Sequence, residues 1–155
     1  MHAPMQTVSL SLYRFASLRD RLWALSQMGL ARSRFARTPG IGFWKLCGSG
    51  TGEGFTPVPN TAVYAVLAGW PDLQTARDAT AHAPAFARHR SRATEAWTVF
   101  LSVVSVRGKW AGTTPFASDG SDPAALASGP LAALTRATVR PAAAARFWRR
   151  VPDIS

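Results

Sequence analysis

Apolar and polar residues alternate from Thr7 to Phe15 (TVSLSLYRF), with Val8, Leu10 and Leu12 on one side before Arg14 shifts the phase. That is the pattern of a strand with one buried face. Ser17 stands where an N-cap would. Behind it Leu18, Leu22, Leu25 and Leu30 return at near-helical spacing, with Trp23 and Met28 beside them. The spacing predicts a helix from about Ser17 to about Arg34, stopped before Pro39 and Gly40. Ile41–Cys47 is rich in large apolar residues and predicts a second strand. Gly48–Asn60 holds four glycines and two prolines and predicts a loop. Thr61–Trp70 is nearly apolar throughout and predicts a central strand. Pro71 and Asp72 open a helical stretch that Pro84 divides into about Asp72–Ala81 and about Pro84–Ala96. The β-branched run Trp97–Val106 predicts a fourth strand, and Gly108–Gly129 reads as loop.

The order is β-α-β-β-α-β, an α+β chain of the ferredoxin-like split arrangement. Such a unit has a four-stranded antiparallel sheet with helices on one face. Its other face is apolar and must be covered, in the α+β barrel families by a second such sheet. The pattern then begins again. Leu131–Val139 resembles a first strand, and the helix expected from Pro141 carries Arg146-Phe147-Trp148, as the first helix carries Arg21-Leu22-Trp23. The expected division is a ferredoxin-like repeat over 1–116, a linker over 117–130, and the first strand and helix of an incomplete second repeat over 131–155.

Composition sets limits on function. No apolar run nears the roughly 18 residues of a transmembrane helix, and Met1–Gln6 is too short for a signal peptide. The lone Cys47 precludes an intrachain disulfide and fits a cytoplasmic protein. Eighteen basic residues, 16 of them arginine, face 8 acidic ones. Base composition of a GC-rich genome explains such a bias, and so does attraction to anionic lipid. The arginines are spread over the helices without zinc spacing or an RNA-binding aromatic motif, so a membrane surface is favoured and nucleic acid is not expected.

The glycine run offers little phosphate chemistry: Glu53 stands where GxGxxG needs its last glycine, and no Gly-Lys-Thr follows Gly48. Glycines still allow a bulky ligand close to the backbone. With Trp44 and Phe55 flanking it, a lining role is expected for Trp44, Lys45, Gly48, Ser49, Gly50, Thr51, Gly52, Phe55 and Asn60; the bland reading is a surface loop. His2 lies in the terminus, and Pro84 separates His82 from His89. His89 is the better metal-ligand candidate, with an ordinary half-buried histidine as the plainer reading. Cys47 reads as a buried structural cysteine. Asp78 and His82 form an i, i+4 pair with no serine nucleophile in a suitable turn, so a hydrolytic triad has little support. The six tryptophans are core residues, or in part the lining of a channel for a long polyene.

The run Phe43-Trp-Lys-Leu-Cys-Gly-Ser-Gly-Thr-Gly-Glu-Gly-Phe-Thr-Pro57, with Asn60, Ala65–Asp72 (AVLAGWPD), Thr75–Arg77, Glu95–Leu101, Gly108-Lys109-Trp110 and Pro115-Phe116, resembles the spheroidene monooxygenase (acyclic carotenoid 2-ketolase) family. The resemblance implies a bacterial oxidoreductase, cytoplasmic or peripheral at the inner membrane. It implies a haem cofactor, dioxygen, an electron donor such as ferredoxin, and a 2-keto group placed on a linear carotenoid such as spheroidene by two successive oxidations. It also implies a dimeric α+β barrel fold, and Lys45 suits a haem propionate. Family members continue through a full second repeat, to which the resemblance assigns the axial donor. This chain is then expected to be a fragment or a homodimer. The alternatives are a truncated non-catalytic barrel protein that binds an apolar ligand, and a cofactor-free small barrel monooxygenase.

Overall fold

A computed structural model describes residues 6–52, 58–110, 112–118, 129–135 and 140–150. The elements run β1 (Thr7–Arg14), α1 (Leu18–Leu30), α2 (Arg32–Ala36), β2 (Phe43–Gly50), β3 (Pro59–Trp70), α3 (Leu73–His82), α4 (Pro84–Arg90), β4 (Glu95–Ser102) and α5 (Pro141–Arg150). The four strands form one antiparallel sheet in the order β2-β3-β1-β4. This is the ferredoxin-like arrangement, and the α+β class holds.

Local chemistry explains the boundaries. Ser17 Oγ accepts from the Asp20 amide and starts α1, and Asp72 does the same for α3 through the Thr75 amide. The long first helix is divided, because the chain turns at Ala31 before α2 begins. The second helical stretch ends at Arg90, several residues before the expected Ala96. β4 starts two residues early and stops at Ser102, after which the Val103 amide bonds the Gln6 carbonyl. The largest difference lies at the glycines. β2 continues through Gly48 to Gly50, and β3 begins at Pro59. A register shift between Gly48 and Ser49 absorbs the irregular backbone, while Ser49 Oγ donates to the Val63 carbonyl at 2.8 Å. The expected long loop is the end of a hairpin. Of the expected strand Leu131–Val139, residues 131–135 carry no strand and 136–139 lie outside the described residues.

The faces of the sheet are assigned against the simplest expectation. On β1, the Thr7, Ser9, Ser11 and Tyr13 side turns towards the helices and is fully buried. Val8, Leu10 and Leu12 take the outer face. Buried hydroxyls are tolerated because they are bonded: the Trp70 indole Nε1 donates to Ser9 Oγ at 2.8 Å, and Thr98 Oγ1 donates to Ser11 Oγ at 2.9 Å. The main core lies between this face and the helices, around Phe15, Phe35, Val66, Trp70 and Phe86. Part of the outer face is covered by the chain after β4, where the Phe43 ring meets Trp110 and Phe116 at 5.3 and 5.1 Å.

Candidate functional site

Register places three cross-strand rows on the outer face. Phe43, Gly69, Val8 and Leu101 form the first; Lys45, Leu67, Leu10 and Val99 the second; Cys47, Ala65, Leu12 and Trp97 the third. The first row belongs to the aromatic cluster just described. Along the third, cover runs out: Cys47, Ala65 and Leu12 are half-buried and the Trp97 side chain is 63% exposed. The result is an apolar shelf with one cation, Lys45, whose Nζ sits 5.4 Å from the Phe43 ring centre. The alternation of β1 was the signal for this shelf, but it could not say which face the helices take.

A second concavity, an open groove of about 830 Å³, runs between α2 and the edge strand β2. Met28, Arg32, Ser33, Trp44, Lys45 and Leu46 are among its lining residues. Trp44 forms its floor, stacked on Phe35 with ring centres 5.7 Å apart. Arg32 and Ser33 are additions that no motif in the sequence marked.

The expected lining set is therefore split. Trp44 and Lys45 point to opposite faces of β2 and meet at the groove. Gly48, Ser49, Gly50, Thr51, Gly52 and Asn60 sit in the hairpin beyond it, where they shape backbone: Thr51 bonds the Val58 carbonyl, Asn60 Oδ1 accepts from the Ala62 amide, and Gly52 takes φ 76°. Phe55 lies outside the described residues.

His89 is in neither concavity. It is 5% exposed, and its ring contacts Tyr13, Trp23 and Phe35 at centroid distances of 5.4, 5.2 and 5.7 Å. Its Nδ1 lies 2.8 Å from the Ala85 carbonyl. A carbonyl can only accept, so Nδ1 carries the proton. Burial pulls the imidazole pKa below its ordinary value of 6.5. Cys47 on the shelf is also a poor donor, because burial raises its thiol pKa and Lys45 only partly opposes this. Neither residue offers an open axial position for haem: the histidine is walled by three rings, and burial disfavours the thiolate that Cys47 would need. His82 bonds its own helix at the Asp78 carbonyl and forms no triad. No group of three metal-ligating side chains occurs among the described residues.

The chain is 48% identical over 97% of its length to spheroidene monooxygenase of Cereibacter sphaeroides, and 44% identical over 97% to that of Rhodobacter capsulatus. Over nearly its whole length the chain resembles the spheroidene monooxygenase family. A third member of the spheroidene monooxygenase family, from Rubrivivax gelatinosus, is 32% identical over 83% of the chain. The chain spans 46%, 62% and 48% of the length of these three relatives, about half. No protein-family model matches it. Among solved structures, SnoaB, a cofactor-independent oxygenase from Streptomyces nogalater, aligns at 18% identity with a TM-score of 0.42, covering 67% of this chain and 97% of that one. A monooxygenase from the gene ActVA-Orf6 of Streptomyces coelicolor aligns at 14% identity with a TM-score of 0.41, covering 68% and 91%.

Proposed function

We propose that the chain is part of a monooxygenase that introduces a 2-keto group into a linear carotenoid such as spheroidene. Identity of 48% across nearly the whole chain to a relative of that name carries this reading. The apolar shelf supports it. A long polyene has almost no polar handles, so its binding free energy must come from buried apolar area. Leu10, Leu12, Ala65, Val99 and Trp97 offer such area as one strip across three strands. The protein's share of the work is to hold the polyene end in a dry place and to present one terminal carbon. Closing the shelf requires a second layer, from a further repeat or from a second copy in a homodimer.

The net change needs dioxygen, and electrons from a donor of the ferredoxin class. A haem, if one takes part, draws its axial donor from outside His89 and Cys47. No helix among the described residues is long and apolar enough to cross a membrane. A peripheral place at a bilayer suits a substrate that dissolves only there.

The test combines binding and turnover. Purified chain is titrated with micellar spheroidene while tryptophan fluorescence is followed, then supplied with dioxygen, reduced ferredoxin and, in parallel, haem. Saturable quenching that weakens in Trp97→Ala, with 2-keto product by mass spectrometry, is the expected result. Quenching without product in any arm supports the non-catalytic alternative. Product without haem supports the cofactor-free one. No saturable binding sinks the reading. Any Soret band should persist in His89→Ala.

A further inference from the structure

Helix α1 has apolar side chains on two sides. Its inward side packs Ala24, Trp23 and Met28 on the core and carries the buried Gln27, only 5% exposed. Its outward side carries Leu18, Leu22 and Leu25, which are 72%, 58% and 55% exposed. The spacing of three and four puts these leucines on one stripe, and exposed Gly29 continues it without a side chain to interrupt the surface. Leu30, 67% exposed, closes the helix.

The rotation of α1 about its axis is fixed by polar bonds to neighbouring parts of the chain. Gln27 Oε1 accepts from Arg34 at 2.9 Å and its Nε2 donates to Ser26 Oγ. Arg21 Nε donates to the Phe15 carbonyl at 3.1 Å. Asp20 is bound by Arg92, whose guanidinium also lies 4.8 Å from the Trp23 ring centre. Rotating α1 to bury its leucines would break the bonds to Arg34, to the Phe15 carbonyl and to Arg92.

We propose that the leucine stripe of α1 docks on the surface of an anionic lipid bilayer. Charge decides the occupant. Between Leu18 and Arg37 the chain has five arginines and one carboxylate, Asp20, which is already committed to Arg92. Arg19 is exposed beside Leu18, and Arg32 and Arg37 are exposed just past the end of α1. A stripe of leucines bordered by cations is the chemistry of an interfacial helix, with apolar side chains in the acyl boundary and guanidinium groups among phosphates. A second copy would set the same arginines against themselves, in a protein whose net charge is already +10. Crossing the bilayer is excluded for this helix: its 13 residues reach about 20 Å against an apolar core of about 30 Å. The docking deepens the peripheral-membrane part of the reading above, and it holds whether or not the chain oxidises a carotenoid.

The test uses the whole chain and sedimentation with vesicles free of carotenoid, made of phosphatidylcholine alone or of phosphatidylcholine with phosphatidylglycerol. The parent should partition onto the anionic vesicles, and added salt should weaken this. Leu22→Gln with Leu25→Gln should lower the partition constant about tenfold or more while the circular dichroism spectrum is unchanged. Arg19→Gln should lower it about fivefold, on anionic vesicles alone. Should the double variant fail to fold, Arg19→Gln and the salt dependence decide by themselves. The proposal is overturned if the parent binds neither vesicle, if both variants bind like the parent, or if salt has no effect. It is equally overturned if the leucine substitutions dissolve a homodimer and leave vesicle binding intact.

Discussion

Single residues in this fold answer to partners that sequence neighbours do not show. Ser9 lies on the fully buried side of β1 and is the acceptor for the Trp70 indole, 61 positions away. Ser9→Ala would strand that N–H in the core, so urea denaturation should show a loss of about 1–3 kcal/mol. His89 gives a pH prediction. Its folded-state pKa lies below 6.5 because burial disfavours the cation. Below about pH 6.5 the unfolded chain binds a proton that the folded one resists, so its contribution is complete above that pH and is lost as pH falls. The melting temperature should drop between about pH 7.5 and about pH 5, and His89→Phe should flatten that slope. Asp20 and Asp72 are held below the ordinary carboxylate range, chiefly by bonds from Ser17 and from the Thr75 amide. They therefore act only in more acidic solution.

At the level of elements, two glycines separate backbone need from helix propensity. Gly40 turns the chain between α2 and β2 at φ 75°, and a Cβ there would collide with Thr75 Cγ2 at the start of α3. Gly40→Ala should destabilise by at least about 1–2 kcal/mol from the left-handed backbone alone. Gly29 lies inside α1 with open space around it. Gly29→Ala should therefore stabilise by about 0.5–1 kcal/mol. Thermal melts of the two variants should move in opposite directions. A gain in Gly40→Ala would mean that the turn is not left-handed at Gly40, and a loss in Gly29→Ala that the space around Gly29 is not open.

Across the whole molecule, charge and apolar surface are both in excess of what the fold pairs or buries. Among the described residues the ion pairs are Arg14–Glu95 and Arg92–Asp20, and the first is well exposed at 3.5 Å. Such pairs contribute little, so mutual repulsion of the remaining arginines dominates. Raising salt from about 20 mM to about 300 mM should raise the melting temperature by screening that repulsion. A fall would show that unseen ion pairs outweigh it. The apolar excess includes the sheet's outer face at Trp97 and the outward stripe of α1. Each invites a different cover: another protein layer for the first and lipid for the second.

How legible all this was depends on the range of the forces involved. Element order, the caps at Ser17 and Asp72, and the break at Pro84 were readable because alternation, capping and ring geometry act over a few residues. The family was readable because the glycine run with its flanking aromatics is a rare string. Long-range choices were not readable. Val8, Leu10 and Leu12 looked like the core side of β1, yet Trp70 and Thr98 satisfy the serines and let the opposite side go under the helices. The leucines of α1 marked a helix by their spacing, but that spacing did not show that bonds to Arg34, Arg92 and the Phe15 carbonyl leave them facing outward. His89 was the better ligand candidate beside the plainer reading of an ordinary histidine, and only the fold shows the three aromatic rings around it. Local pattern by itself determined which elements form. Only the tertiary structure decided which face of each is buried, because that depends on hydrogen-bond partners brought together from distant parts of the chain.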